Sequence, residues 1–430
     1  MSPAVNLSPP ESDLNQASIN AIRVLALDAI QKAPAGHPGA TLEIAPMLYV
    51  LWSWFLKHNP SNPGWFDRDR FILSAAHGSA LLYSLHYLTG YDLSLRPTEQ
   101  SRRRRGEAES DPEGRFVLED GVATGLGEGV GMAMVEAQLA ARYNRPGFDI
   151  VDHFTYVVVG DRDLAGGVGL QAASLAGHLR LGKLVCLYDR HHVGAGPLSV
   201  KTFARDRLAR FRASGWHTQV LADGHDVGAI EQAIRAARGE RDRPSLILVS
   251  TRGVPGLVSH RDVLATLDTA GRAGVAGSDR ERMGWCIPPE ALSHWRRAVE
   301  AGARAERKWQ ERFAAYARVY PDLAYELGQA IRGELPALWD VDIPYFQGGV
   351  QLSSSPAPAK ALPHSGEAGG LWGFRGHNLH FGSGEHAMRA ILSGMASHGG
   401  AIPFGATFLI FAVYTGPVAW MQLMASAARL

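Results

Sequence analysis

The sequence predicts an α/β protein built on a parallel sheet, and three observations carry that prediction. Three short β-rich runs, Phe154–Val159, Leu184–Tyr188 and Leu246–Ser250, occur in order. Helical segments, Leu170–Leu179 and Val227–Arg238 among them, separate these runs. At 430 residues, 46% of them hydrophobic, the chain has apolar material for two or three domains with sizeable cores. Strand–helix–strand alternation of this kind makes a parallel sheet, and ligands are then expected at the carboxyl ends of the strands.

Taken in chain order, residues 14–33 space Leu14, Ile22, Leu25, Ala26, Ala29 and Ile30 for one face of a helix. Pro34, Gly36, Pro38 and Gly39 end it in a loop around His37, and a second apolar helix, Ile44–Leu56, stops at Asn59-Pro60. Arg102–Gly114 is a charged run without periodicity, expected as a solvated loop. Charged helical sequence fills Pro289–Leu335, and Leu352–Gly370 has the Ser, Pro, Ala and Gly content of a connector. No Asp, Glu, Lys or Arg falls between Arg389 and Arg429. That is long enough for a membrane span, but Gly400, Pro403, Gly405, Gly416 and Pro417 interrupt it, so a buried hairpin of strand and helix is expected.

Charge and cysteine content exclude some classes. With 43 Lys+Arg against 42 Asp+Glu, nothing global attracts nucleic acid. Two cysteines, Cys186 and Cys286, make no disulfide framework and point to a reducing, cytoplasmic compartment. Met1–Asp13 has neither the basic nor the apolar region of a secretory signal.

The residues that can carry chemistry cluster at turns. Gly160-Asp161 closes one predicted strand, where an Asp is placed to hold a cation that bridges phosphates. The next strand ends in Asp189-Arg190-His191-His192, so two strand ends would face one crevice, although ordinary strand-terminating turns account for that spacing too. His37 in Gly-His-Pro-Gly and His77 in Ala-His-Gly-Ser lie in glycine-containing turns, where an imidazole can bind phosphate, shuttle protons or simply be solvated. Thr124 to Gly129, with Gly127 at its centre, opens an apolar helix and can turn N–H groups toward an anion. Phe408, Phe411 and Tyr414 share one helix face, as a core stripe or as a stacking platform. Glu385 stands in the apolar, Gly-rich HFGSGEHAM, where burial would favour a carboxyl able to donate a hydrogen bond.

These pieces stand in a familiar order. INAIRVLALDAIQKAPAGHPGA, FLKHNPSNPGWFDRDRFILSAAHGSALLYSLHYLTGYDL, RYNRPGFDIVDHFTYVVVGD, SLAGHLRLGKLVCLYD and GWHTQVLADGHD closely resemble the N-terminal domain of transketolases. HFGSGEHAM and PFGATFLIFAVY resemble the start of that family's pyrimidine-binding domain. The resemblance implies a homodimer that uses thiamine diphosphate and Mg²⁺ to move a two-carbon ketol unit between sugar phosphates. It implies that Asp161 and His191 are side-chain metal ligands, with Val193 giving a backbone carbonyl. By the same resemblance Glu385 activates the aminopyrimidine, Phe408, Phe411 and Tyr414 hold its ring, and His37 and His77 are active-site histidines.

The chain also departs from the family's pattern. Gly160-Asp161-Arg162 stands where the family has Gly-Asp-Gly, and His191 where it has Asn. Imidazole is a poor substitute for an oxygen ligand of Mg²⁺, and Arg162 adds a cation beside the metal position, so weak and magnesium-insensitive cofactor binding is expected. Gly166 and Gln171 occupy positions at which the family has acidic residues. The expected organisation is a diphosphate-binding domain over residues 1–335, a linker over 336–375 and a shortened pyrimidine-binding domain over 376–430. Two alternatives stay open: a non-catalytic relative acting as a dimerisation or binding partner, and one subunit of a split enzyme whose partner chain supplies the rest.

Overall fold

The computed structural model describes residues 11–32, 42–74, 79–93, 124–191, 207–251, 287–335, 381 and 384–405. Helix α1 (Glu11–Lys32) is followed by α2 (Ala45–Val50), which runs into a π-helical turn at Leu51–Phe55. Strand β1 (Arg70–Leu73), helix α3 (Ser79–Thr89) and the long α4 (Gly125–Tyr143) lead to β2 (Thr155–Val159). Two helices, α5 (Asp161–Ala165) and α6 (Gly167–His178), connect it to β3 (Leu184–His191). Helix α7 (207–213), β4 (His217–Leu221), α8 (Val227–Gly239) and β5 (Ser245–Thr251) complete the sheet. Beyond it come α9 (Pro289–Val319), α10 (Pro321–Arg332) and α11 (Glu385–His398).

All pairings in this five-stranded sheet are parallel, in the order β1-β2-β3-β5-β4. Side chains of a strand point alternately to opposite faces, and the two cores divide accordingly. Phe71, Tyr156, Val158, Leu187 and Val249 pack with α1, α2, α3 and α8. Ile72, Val157, Val159, Cys186 and Leu248 pack with α4, α6 and Ile391 of α11. Covered on both faces, the central strands carry unbroken apolar stretches, which is why they stand out as runs in the sequence. A third cluster joins the far side of α4 to Tyr316 of α9 and Leu327 of α10.

The predicted strands are present, with two additions and one extension. Strand β1 has only four residues and opens on an arginine, and β4, HTQVL, lies half-buried at the sheet edge. Neither produces an apolar run. Strand β3 continues beyond Tyr188, so that His191 pairs with Thr251. The connector at 352–370, the Arg102–Gly114 run and residues 406–429 of the charge-free segment lie outside the described residues. Among the described residues, no helix is long and apolar enough to cross a membrane.

Candidate active site at the strand ends

The carboxyl ends of β1, β2, β3 and β5 gather polar groups that the sheet could not hold in its interior. Val159, the last residue of β2, pairs with Tyr188 of β3, so the α5 turn that follows β2 faces the end of β3. The two carboxylates of that turn have different surroundings. Asp163 is buried; it accepts a short hydrogen bond from the Ser74 hydroxyl just past β1 and another, 2.8 Å, from the Gly160 N–H. Asp161, with its side chain 52% exposed, accepts from the Tyr188 hydroxyl and from Nη1 of Arg207, the first residue of α7. Arg207 Nη1 also donates to the Tyr188 oxygen at 2.6 Å, and its guanidinium lies 5.9 Å from the centre of the Tyr188 ring. Burial, with Asp161 beside it, pushes the Tyr188 phenol up, so it acts as a neutral donor. At the next strand end the Thr251 hydroxyl donates to buried Asp189 over 2.7 Å.

Helix α11 is fixed to this end of the molecule by a close helix contact. A Cβ on Gly131 of α4 would stand 2.0 Å from the Ile391 carbonyl oxygen, and one on Gly394 of α11 would stand 1.9 Å from that of Glu128. Only glycine permits such an approach of two backbones. Gly127 shares the seam: it is buried, and a Cβ there would meet that of Ala390 at 2.6 Å, so its small size serves helix packing. Glu385 is half-buried in the first turn of α11, more open than its apolar sequence setting suggests. The preceding Gly384 lies against Gln171 of α6, two residues from Gly169, whose backbone packs on the Asp163 carbonyl. An open groove of about 320 Å³ runs between α6 and α11, with Gln171, Ser174, His178 and Phe381 among its lining residues.

The site foreseen from the sequence is thus described in part. Gly160 and Asp161 stand at the end of β2, Glu385 opens α11, whose preceding Gly384 lies against α6, and Gly127 lies in the α4–α11 seam. The backbone of Arg162 is in α5 and that of His191 in β3, but their side chains lie outside the described set. So do His37, His77, Val193, Phe408, Phe411 and Tyr414 altogether. Sequence reasoning missed Tyr188 as more than a strand residue, and it missed Arg207, which stands 46 residues from its partner Asp161.

The donor set has a clear chemical preference. Among the described residues no three His, Cys, Asp or Glu side chains converge to hold a metal ion. The Asp161 carboxylate, expected to ligate Mg²⁺, already carries a guanidinium, while Asp163 and Asp189 accept hydrogen bonds from hydroxyl groups. Mg²⁺ requires near-octahedral oxygen ligation at about 2.0–2.1 Å, so a divalent cation does not fit the described residues as they stand. A guanidinium, unlike a dication, is already seated at this corner, and its chemistry suits an anion.

Fold and site together define a parallel α/β protein with a cluster of polar side chains at its strand ends. Residues 14–336 match the family described as transketolase, thiamine diphosphate binding domain, and the chain belongs to the transketolase family. It is 40% identical to the transketolase of Geobacillus stearothermophilus, over 94% of this chain and 66% of that protein. It is 39% identical to transketolase 1 of Escherichia coli K12, over 92% of this chain and 65% of that protein. Among solved structures, the Pichia stipitis transketolase in complex with sedoheptulose 7-phosphate superposes with a TM-score of 0.82 at 29% identity, covering 96% of this chain and 67% of that one. The chain therefore spans about two-thirds of the length of the curated relatives that it matches.

Proposed function

We propose that the chain takes part in ketol transfer between sugar phosphates with thiamine diphosphate as cofactor. The observation that carries this reading is the position of Glu385. Helix α11 is seated backbone to backbone on α4, and its first turn adjoins α6, which leads back through Gly169 and Asp163 to the corner of Asp161. When bound, thiamine diphosphate supplies a carbon nucleophile and an electron sink for breaking and remaking a carbon–carbon bond beside a carbonyl. The Glu385 carboxyl hydrogen-bonds the aminopyrimidine edge and exchanges a proton there. His37 and His77 would bind substrate and move protons at their imidazole nitrogens, and Phe408, Phe411 and Tyr414 would hold the pyrimidine ring. The strand-end corner orients the diphosphate.

Sugar phosphates such as those named with the Pichia stipitis structures are the substrates that this reading assigns. It also keeps the division into 1–335, 336–375 and 376–430, a cytoplasmic location, and assembly with a second copy or with a partner chain that completes the site. Transfer from xylulose 5-phosphate to ribose 5-phosphate, followed by a coupled assay with saturating cofactor, tests it. Turnover should fall by about 10²–10⁴-fold in Glu385→Ala. No turnover by the chain, alone or with added partner candidates, would remove the catalytic reading, as would turnover indifferent to Glu385.

A further inference from the structure

The polar corner at the ends of β2 and β3 is built around a side-chain cation. The Arg207 Nη1 group is shared between the Asp161 carboxylate and the Tyr188 hydroxyl, with the guanidinium beside the Tyr188 ring. Tyr188 is almost fully buried, and its hydroxyl bonds to the same Asp161 oxygen, so three groups fix one another. Among the described residues, Nη1 makes both hydrogen bonds of the Arg207 guanidinium. A guanidinium offers five N–H donors in one plane, and a diphosphate presents oxygens that accept from such a fork in pairs. The same guanidinium neutralises the one carboxylate on which a divalent cation would have to close. A dication would meet a positive charge already in contact with its ligand, and would have to break both hydrogen bonds to enter.

We infer that Arg207, held in place by Asp161 and Tyr188, replaces the divalent cation at this corner, so that the chain binds the diphosphate of its cofactor through a guanidinium and without Mg²⁺. This rests on the reading of the chain as a thiamine diphosphate binder. Two consequences separate it from a metal site. Chelation leaves binding intact. Replacing Asp161 by Asn, which would abolish a metal site, keeps an amide oxygen to accept from Arg207 and leaves one more net positive charge facing the phosphates.

Calorimetric titration of the full chain with thiamine diphosphate, once in EDTA and once in excess Mg²⁺, measures both. The expected affinities agree within about threefold between the two conditions. Arg207→Gln weakens binding at least about tenfold in each, as loss of charged hydrogen bonds requires, and Asp161→Asn binds as tightly as wild type or more tightly. Melting temperatures show which variants are folded. Arg207→Lys, which keeps the charge but not the fork, should bind with intermediate affinity and serves if Arg207→Gln does not fold. Binding abolished by EDTA, or lost in Asp161→Asn while Arg207→Gln retains it, overturns the inference and leaves the cofactor reading standing. Absence of binding in both conditions overturns the cofactor reading, and this inference with it.

Discussion

The seam between α4 and α11 and the corner where β2 and β3 end are built from opposite materials. At the seam, glycines let two backbones approach until carbonyl oxygens occupy the space of missing side chains. At its far end His398 stacks on His153 with their Nε2 atoms 2.7 Å apart, both imidazoles fully enclosed. At the corner, an aspartate, a tyrosine and an arginine meet at the edge of solvent. The seam leaves no space for a side chain between the two helices. At the corner the Asp161 carboxylate is half open to solvent, where a polar ligand can reach it. Close backbone packing in one place and polar groups at the edge of solvent in the other suit the cofactor site proposed above.

The comparison breaks most readily at the seam. Gly131→Ala pushes a methyl group into the Ile391 carbonyl, and Gly394→Ala does the same against Glu128. Each should destabilise the chain by about 3 kcal/mol, the upper end for overpacking where backbone must move. Urea unfolding followed by circular dichroism would show it. A loss under about 1 kcal/mol would mean that α11 shifts freely on α4.

Acid should act on the seam next. Burial lowers the pKa of His153 and of His398 well below the ordinary value, and Arg70 beside them adds to the effect. Asp67 does not reverse this, because Lys57 already neutralises it over 2.7 Å. The unfolded chain therefore binds more protons than the folded one below about pH 6.5. The stabilising contribution is complete above that pH and is lost as pH falls through it, by up to about 1.4 kcal/mol per pH unit for each histidine. The buried His58, lowered to about 4, and His86, lowered to about 3, add to the same trend. Chemical denaturation between pH 7 and 5 should show the slope, reduced in His398→Gln. A flat profile would mean that these imidazoles are already solvated.

At the corner the expected effects on stability are smaller. Tyr188→Phe removes the hydroxyl that joins Asp161 to Arg207 and should cost about 1 kcal/mol. It should loosen the guanidinium enough to weaken pyrophosphate binding several-fold, read by calorimetry in EDTA. Asp161→Asn should change stability by less than about 0.5 kcal/mol, because a half-exposed ion pair contributes little. A cost as large as that of Gly131→Ala would make the corner as structural as the seam, and the contrast between them would disappear.

Much of this architecture was legible in the sequence because burial on both faces leaves a local trace. Val157–Val159, Leu184–Leu187 and Leu246–Val249 are apolar without interruption, and each lies wholly inside the sheet. Helix α8 declares its start through Asp226, whose side chain accepts the Ala229 N–H. Strand β4 escaped because an edge strand half-open to water needs no apolar run, and β1 because four residues are too few to show a period.

The sequence by itself determined the family, the parallel strands and the cores they carry, since each depends on patterns within a few residues or on long collinear motifs. Tertiary structure alone decided that β5 lies between β3 and β4, that Gly131 and Gly394 bring two helices into backbone contact, and that Arg207 closes on Asp161. The physical reason is the same in all three cases. Each contact joins groups far apart in the chain, and what selects the partner is the space and charge that the folded neighbours leave.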